Sequence, residues 1–299
     1  MTLVGLLCLL WGSTWLVIQE GLRDLPPWTS AGARFALAFV VMVLVAPALR
    51  RVEGGVRPPW WLAATVGTLN FAVSYIIVYT TETVLPSGLV SVLWAVFPLM
   101  MAVGAHAALG ERLAGRQWAG LGLGFGGVVL LLATDLDAFG PAAVPAALLL
   151  FVSPLVSAIG QIVLKRFGAG VSAALLNRDA MGVGAAWLVA GALVFERDAT
   201  VRWTGAAIAS VAWLALAGTV LTFTLYFWLL RHASATRLSV IAFVTPVVAL
   251  LLGVVFADEP VTVWTALGAG AVVVGVAMTV VRGRRRELAA GPAAGTTKA

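Results

Sequence analysis

The sequence predicts an all-α integral membrane protein with ten transmembrane helices, arranged as two inverted-topology repeats of five helices each. Three observations lead to this fold class: the composition, the long apolar runs, and a similarity between the two halves. Of the 299 residues, 61% are hydrophobic and 11% are charged, and the mean hydropathy is +1.02. A soluble domain carries about 25% charged residues, so lipid is the expected solvent for most of this surface.

Each predicted span is an apolar run close to the roughly 20 residues that a helix needs to cross a bilayer. The first repeat, residues 1–137, contains five spans at about 3–19, 28–49, 60–81, 84–109 and 116–134. The second repeat, residues 138–281, contains five spans at about 142–164, 172–195, 204–230, 234–256 and 261–281. Residues 282–299 follow as a polar and basic tail, which we expect to be cytoplasmic.

The distribution of charge predicts the orientation of these spans. With a cytoplasmic N-terminus, 14 of the 19 basic residues fall in cytoplasmic loops or in the tail, and only Arg23, Arg197 and Arg202 fall in outer loops. Nine of the 13 acidic residues, Glu82 and Glu259 among them, fall outside. Short cytoplasmic loops are enriched in lysine and arginine, so both termini are predicted to be cytoplasmic.

The two halves resemble each other around a proline and a glutamate. A shift of 148 residues places Pro98 on Pro246 and Glu111 on Glu259 without a gap. The same shift aligns further residues: Ser91 with Ser239, Gly120 with Gly268, Gly122 with Gly270 and Gly127 with Gly275. Since five is odd, a duplicated half enters the membrane in the opposite orientation, as in many transporters. Coincidence between two Ala/Gly/Val-rich sequences is the alternative.

Three segments resemble the EamA-type drug/metabolite transporter superfamily. They are LLWGSTWLVIQEGLRDLPPWTSAGARF (9–35), PSGLVSVLWAVFPLMMAVGAHAALGERL (86–113) and ATRLSVIAFVTPVVALLLGVVFADEPV (235–261), where Asp258 replaces the usual glycine. The resemblance extends over residues 3–281. It implies a multi-pass carrier of the bacterial inner membrane, in which helices 1, 3, 4, 6, 8 and 9 line a central cavity. It also implies a similarity to an aromatic amino-acid export group.

The predicted function is therefore export of amino acids, aromatic or other neutral ones, or of related small metabolites by alternating access. One alternative is a multidrug exporter, and another is a non-transporting membrane sensor or assembly subunit. An enzyme is not expected, because Walker A, GxSxG and HExxH sequences are absent. With a single cysteine, Cys8, and two histidines, no metal site and no cofactor are predicted. The predicted partners are a small-molecule substrate and the lipid bilayer, without nucleic acid, and a monomer is predicted, with a dimer as the alternative.

Polar and aromatic side chains within the spans are the candidates for substrate binding, because polar groups in hydrocarbon need partners or a wet cavity. The candidates are Trp11, Ser13, Trp15, Asn70, Ser74, Tyr75, Tyr79, Ser91, Trp94, Ser157, Gln161, Thr222 and Tyr226. The tryptophans could instead serve in packing or in an interfacial belt. The hydroxyl groups could instead form hydrogen bonds between helices.

Two prolines and few charges complete the sequence-based predictions. Pro98 and Pro246 are predicted as equivalent bend points that let helices 4 and 9 move, with a static kink as the alternative. Arg34 and the adjacent pair Arg178–Asp179 lie within spans, and for them we favour structural anchoring near helix ends, where arginine can snorkel. The first span contains no carboxylate before Glu20. We therefore expect facilitated or weakly coupled transport, without a buried proton-carrying carboxylate.

Overall fold

The computed structural model describes residues 2–134, 140–232 and 235–280, and these residues are helical apart from short connections. The predicted basic tail, 282–299, and the predicted boundary between the repeats, at 137–138, lie outside the described residues. In chain order the first helices are α1 (Thr2–Leu22), α2 (Pro27–Glu53), α3 (Trp60–Thr81), α4 (Ser87–Leu109) and α5 (Gly115–Thr134). They are followed by α6 (Ala143–Phe167), α7 (Ala173–Phe195), α8 (segments Gly205–Ala215, Leu216–Leu221 and Thr222–His232), α9 (Ala235–Ala257) and α10 (Val263–Val280).

Eight of these helices are long and apolar enough to cross a membrane, namely α1 to α4, α6 to α8 and α10. The prediction of an all-helical integral membrane protein is confirmed in this form. A shorter apolar stretch, Val244–Ala257, lies within α9. The count of ten spans and their arrangement as inverted repeats stay predictions at this point.

Four of the helices are irregular near their middle. In α3 the segment Gly67–Val73 is a π-helix, and in α8 the segment Leu216–Leu221 is one as well. The helix α4 is interrupted at residues 95–96, just before Pro98, and α6 is interrupted at Phe151, just before Pro154. Short π-helical segments are rare and occur frequently at functional sites. The interruptions fit the loss of a backbone donor at proline.

The helix α9 differs from α4 in this respect, because α9 continues through Pro246 without an interruption. The two helices thus differ in continuity at the aligned prolines, and the roles of Pro98 and Pro246 as equivalent bend points stay predictions. The proline removes one backbone donor in either helix, but neighbouring helices can satisfy the freed groups within a membrane protein. Pro246 is buried in α9, whereas Pro98 is half-buried.

The helices α2 and α7 pack along each other, and each caps the start of its partner. Glu53, the last residue of α2, accepts hydrogen bonds from the hydroxyl of Ser172 and from the amide of Ala174 (2.8 Å) at the start of α7. Glu196, directly after α7, accepts hydrogen bonds from the amides of Trp28 (2.8 Å) and Thr29 (2.7 Å) at the start of α2. Carboxylates at helix N-termini satisfy free amides and interact favourably with the helix dipole.

The helices α5 and α10 form a second close pair through glycines. A Cβ atom on Gly120 would lie 2.7 Å from the carbonyl oxygen of Gly275, and one on Gly127 would lie 2.6 Å from that of Gly268. These distances are shorter than van der Waals contact, so the backbones touch where side chains are absent. Small residues allow such close approach between membrane helices.

The turns that follow α4 and α9 share an unusual backbone. Gly110 has φ 69° and Asp258 has φ 51°, both in the left-handed region. The amide of Glu111 donates to the carbonyl of Ala105, and the amide of Glu259 donates to that of Gly253, both at 3.2 Å. In both turns a left-handed residue ends the helix and reverses the chain, as at many helix C-termini.

Candidate functional site

Half-buried aromatic side chains from several helices meet in the middle of the bundle. The rings of Trp15 on α1 and Trp94 on α4 have their centroids 6.0 Å apart, and Trp94 stacks on Phe97 at 5.0 Å. All three side chains are half-buried. Trp94 ends the first segment of α4 and Phe97 begins the second, so the interruption before Pro98 sets the position of this stack.

A second aromatic group connects α1 with α8 and α3. The ring of Trp11 lies 5.5 Å from that of Tyr226 and 6.0 Å from that of Phe223, and Phe223 lies 6.0 Å from Phe71. Trp11 and Trp15 are four residues apart and share one face of α1. The structure thus places the two tryptophans in contact with different aromatic groups, and neither pairing is at a helix end.

Arg34 lies next to these aromatic groups and is 1% exposed. Its Nε donates to Thr219 Oγ1 on α8 at 3.1 Å, and its guanidinium carbon lies 4.8 Å from the ring centre of Tyr75 on α3. The Nη1 group is 3.4 Å from the hydroxyl of Tyr79, which is completely buried. The expectation that Arg34 snorkels from a helix end is wrong, because α2 begins seven residues earlier and packs its arginine inward.

A network of hydroxyl groups joins α3 to α6. Ser74 Oγ lies 2.8 Å from the hydroxyl oxygens of both Ser153 and Ser157, and Trp94 Nε1 donates to Ser153 Oγ at 2.9 Å. Asn70 Nδ2 donates to the carbonyl of Ser157 at 3.0 Å. Ser74 and Ser157 therefore already have partners between helices, as the alternative interpretation of the hydroxyl groups expects.

Asn70 retains one free group in this network. Its Oδ1 is buried and has no hydrogen-bond partner among the described residues. The oxygen packs against Gly160, where a Cβ atom would lie 1.9 Å away. Asn70 belongs to the π-helical segment of α3, and Thr219, which accepts the bond from Arg34, belongs to the π-helical segment of α8.

The remaining predicted site residues lie around these groups. Ser13 donates to the carbonyl of Leu10 (2.8 Å), Ser91 to that of Gly88 (2.6 Å) and Thr222 to that of Thr219 (3.2 Å), so each hydroxyl has a local backbone partner. Gln161 is half-buried on α6. No contact of Gln161 with the aromatic groups is described, and its role in binding stays a prediction.

A buried carboxylate lies at the end of the bundle that the charges predict to face outward. Glu82, directly after α3, is 3% exposed, and neither of its carboxylate oxygens has a hydrogen-bond partner among the described residues. Burial raises its pKa well above the ordinary value, Glu259 raises it further, and Arg34 acts in the opposite direction. Glu82 is therefore buried and not exposed in an outer loop, and the expectation of transport without a proton-carrying carboxylate stays a prediction.

Three further ionisable residues within helices, Arg178, Asp179 and His106, are partly or fully exposed and have polar partners. Arg178 and Asp179 form an ion pair with 2.6 Å between Nη2 and Oδ1, and both side chains are partly exposed, as expected for an anchor. His106 is exposed and its Nδ1 lies 2.6 Å from the carbonyl oxygen of Glu111. Within residues 2–134, 140–232 and 235–280, no group of three or more metal-ligating side chains is present.

Two clefts lie away from the aromatic groups. One, of about 420 Å³, lies among the loops after α1 and α7, and the other, of about 450 Å³, lies between α3 and α7. Neither is lined by a residue that the sequence predicts to bind substrate. A substrate cavity around the aromatic groups belongs to the proposal below.

The sequence analysis did not predict some of the residues that the structure places at the site. The rings of Phe35, Phe71 and Phe223 contact one another in that order, and Phe97 stacks on Trp94. Glu82 is buried three residues after Tyr79. Phenylalanines in an apolar run carry no signal that separates core from cavity. For Glu82 a signal exists, because ETVLPS places an acid at a helix end one turn before a second helix start, where a short loop can be covered.

The fold and this interior are typical of a polytopic membrane carrier, and the family comparison agrees. The chain belongs to the EamA-like transporter family, whose model matches residues 1–133 and 144–281.

Curated relatives carry transporter names. The chain is 26% identical to the uncharacterized transporter YoaV of Bacillus subtilis, over 94% of this chain and 96% of that protein. It is 28% identical to the uncharacterized inner membrane transporter YedA of Escherichia coli, over 88% and 85% of the two chains. A probable amino-acid metabolite efflux pump of Escherichia coli is 27% identical over 92% of each chain. The protein is thus a transporter of the inner-membrane type and takes a small-molecule substrate.

A solved crystal structure supports the fold. It superposes with a TM-score of 0.66 over 93% of this chain and 94% of the other, at 20% sequence identity. At that identity the likeness concerns the fold alone.

Proposed function

We propose that the protein exports amino acids, aromatic or other neutral ones, or related small metabolites, by alternating access through a central cavity. The observation that carries this proposal is the set of half-buried aromatic rings of Trp11, Trp15, Trp94 and Tyr226 in a bundle that also buries the guanidinium of Arg34, 4.8 Å from the ring centre of Tyr75. Aromatic faces bind apolar or aromatic side chains, and a guanidinium is suited to a carboxylate. The relative named a probable amino-acid metabolite efflux pump supports the same substrate class.

The proposed architecture is ten spans in two inverted five-helix repeats, residues 1–137 and 138–281, with both termini cytoplasmic. Crossed contacts support it. The shift of 148 residues aligns Gly120 with Gly268 and Gly127 with Gly275, whereas the contacts join Gly120 to Gly275 and Gly127 to Gly268. Such an exchange is what a two-fold axis between the halves produces. The reciprocal capping of α2 and α7 and the paired π-helical segments follow the same pattern.

Transport in proteoliposomes tests the proposal. The purified protein is reconstituted and assayed for uptake and efflux of radiolabelled neutral amino acids and, in parallel, of cationic drugs. We expect Trp15→Ala to lower amino-acid flux about tenfold, the effect of losing roughly 1.4 kcal/mol of aromatic contact. Trp264→Ala is the matched control, because Trp264 lies on α10 and is 51% exposed; it should leave flux unchanged.

The outcomes separate the proposal from its alternatives. Flux of cationic drugs without flux of amino acids would instead identify a multidrug exporter, which aromatic rings can also serve through cation–π contacts. No flux of any compound by a correctly inserted protein would favour a sensor or assembly subunit. An equal loss of amino-acid flux in Trp15→Ala and Trp264→Ala would contradict the assignment of the aromatic groups as the binding site.

A further inference from the structure

At the predicted outer end of the bundle, one side chain joins α4 to the turn after α9. Glu259, in the turn after α9, accepts hydrogen bonds from the amides of Ser87 (2.7 Å) and Gly88 (2.8 Å) and from the hydroxyl of Ser87 (2.7 Å). These groups form the first turn of α4. We call this contact the outer latch.

Two glycines leave room for the latch. A Cβ atom on Gly88 would lie 2.8 Å from Glu259 Oε2, and a Cβ atom on Gly253 would lie 2.2 Å from the same oxygen. Glu259 is 9% exposed, and its contacts with Ser87 join the outer ends of α4 and α9. The helix start supplies free amides and a favourable dipole for the Glu259 carboxylate.

Glu82 lies beside this latch with a different set of neighbours. The groups that act on it electrostatically are Glu259 after α9 and Arg34 on α2. Glu82 also interacts electrostatically with Tyr79, near the end of α3. Arg34 directs its Nε to Thr219 and its Nη1 to Tyr79 rather than to Glu82. Both oxygens of Glu82 are left without hydrogen bonds from the described residues.

An ionised Glu82 is unfavourable in this arrangement. A buried charge is tolerated when it is paired and hydrogen-bonded, and Glu82 has neither kind of partner at bonding distance. The nearby Glu259 carboxylate acts electrostatically against a negative charge on Glu82. Glu82 therefore holds a proton while the latch is closed, and hydration after opening restores its ordinary tendency to ionise.

We propose that Glu82 is a proton-binding site of the outer gate, which keeps its proton while Glu259 holds the start of α4 and exchanges it with the outer solution when α4 and α9 separate. The inference rests on the proposed transport function, because it assumes an outer gate that opens and closes. Protons then favour the closed state. This preference is fully present below the pKa of Glu82 in the open, hydrated state, and it is lost as the pH rises through the higher pKa of the closed state.

Cysteine labelling in intact bacterial cells measures the gate directly. With Cys8 replaced by serine, a single Ser91→Cys substitution places a reporter on α4, one turn below the latch, where the native side chain is 3% exposed. A membrane-impermeant methanethiosulfonate is added outside between about pH 5 and 9, a range that covers ordinary and raised carboxylate pKa values. Thr200→Cys, in an exposed loop at the same end, corrects for the pH dependence of the thiol itself.

We expect the labelling ratio of Ser91→Cys to Thr200→Cys to rise about tenfold with external pH, since a shift of one pKa unit changes an equilibrium tenfold. Adding Glu82→Gln should flatten the profile at its low-pH level, whereas Glu82→Asp should keep a pH dependence. Glu259→Gln should raise labelling at every pH by weakening the latch. An unchanged profile in Glu82→Gln would overturn the proposal, and so would an unlabelled Thr200→Cys, which would place this end inside the cell.

Infrared spectroscopy of the unmodified protein gives a second test, which does not depend on whether any variant folds. A protonated carboxyl has its own C=O stretching band, which should persist as the pH is raised past the ordinary glutamate pKa and disappear on further titration. Loss of every such band at the ordinary glutamate pKa would overturn the proposal. Neither test uses a substrate, so a failure to find amino-acid flux would count against the proposed function and not against the proton site.

Discussion

The turns after α4 and α9 each contain one residue with a left-handed backbone conformation. Gly110 and Asp258 occupy equivalent positions in the sequence and share a left-handed backbone, with φ of 69° and 51°. Glycine adopts this region without steric penalty, whereas a residue with a Cβ atom is strained there. Asp258 thus keeps the geometry of the turn that presents Glu259 to α4, at a cost in stability.

We expect Asp258→Gly to raise the free energy of unfolding by about 0.5 kcal/mol, because relief of the left-handed strain exceeds the added flexibility of the unfolded chain. The converse change, Gly110→Asp, is the control and should lower it by a similar amount. Thermal unfolding of the two variants in one detergent gives the comparison. A lower midpoint for Asp258→Gly would show that the aspartate contributes contacts that outweigh its backbone strain.

At the residue scale, the sequence locates the tryptophans better than it locates the charges. Trp11 and Trp15 lie within the predicted first span and within α1, where both contact aromatic rings of other helices, and their role in substrate binding stays a prediction. The environments of Arg34 and Glu82 could not be predicted, because their neighbours Thr219 and Glu259 lie far away along the chain. Burial of a charge is decided by tertiary contacts, to which hydropathy along one helix is insensitive.

Close approach between α3 and α6 depends on one glycine. A Cβ atom on Gly160 would lie 1.9 Å from the unpaired Oδ1 of Asn70 and 2.9 Å from its Cγ. The Asn70 side chain is fixed by its bond to Ser157, so it cannot move aside without losing that bond.

Gly160→Ala should therefore lower the free energy of unfolding by about 1–3 kcal/mol, the usual effect of overpacking. Gly126→Ala serves as the matched control, because no atom lies within 4 Å of its Cβ position on α5 and alanine is the better helix former. Thermal unfolding and transport are measured for both variants. If Gly160→Ala were as stable as Gly126→Ala, the α3–α6 contact would have to be looser than described.

At the scale of elements, apolar runs predict helices well and their irregularities poorly. The predicted spans agree with helices such as Thr2–Leu22 and Ala173–Phe195 to within a few residues. The π-helical segments have no signature in hydropathy, because a local change of hydrogen-bond register leaves the composition unaltered. Pro98 and Pro246 occupy aligned positions in the sequence, but α4 is interrupted before Pro98 and α9 is continuous through Pro246. Packing around each proline decides whether the helix is interrupted.

The whole molecule is organised by helix pairs that connect the two halves. The pair α2–α7 is capped reciprocally, and the pair α5–α10 touches through glycines. Sequence similarity between the halves indicated a repeat but could not indicate which helices pair, because pairing depends on the relative orientation of the halves in space.

Cysteine labelling at two exposed alanine positions tests the orientation of the protein in the membrane. Ala199→Cys lies in the connection after α7, and Ala114→Cys lies in the connection between α4 and α5. We expect the first to react with an impermeant thiol reagent in intact cells and the second only after the inner membrane is permeabilised, as the distribution of basic residues requires. Reaction of both cysteines in intact cells would contradict the predicted alternation of loops.

The glycine contacts between α5 and α10 have a consequence for gene architecture. Gly120 contacts Gly275 and Gly127 contacts Gly268, so each half contributes aligned glycines to the same interface. A patch of this kind does not require its two sides to be joined by a peptide bond. A half-length chain that inserted in both directions could pair with itself through the same glycines, and splitting the gene between α5 and α6 is a practical way to rebuild that arrangement.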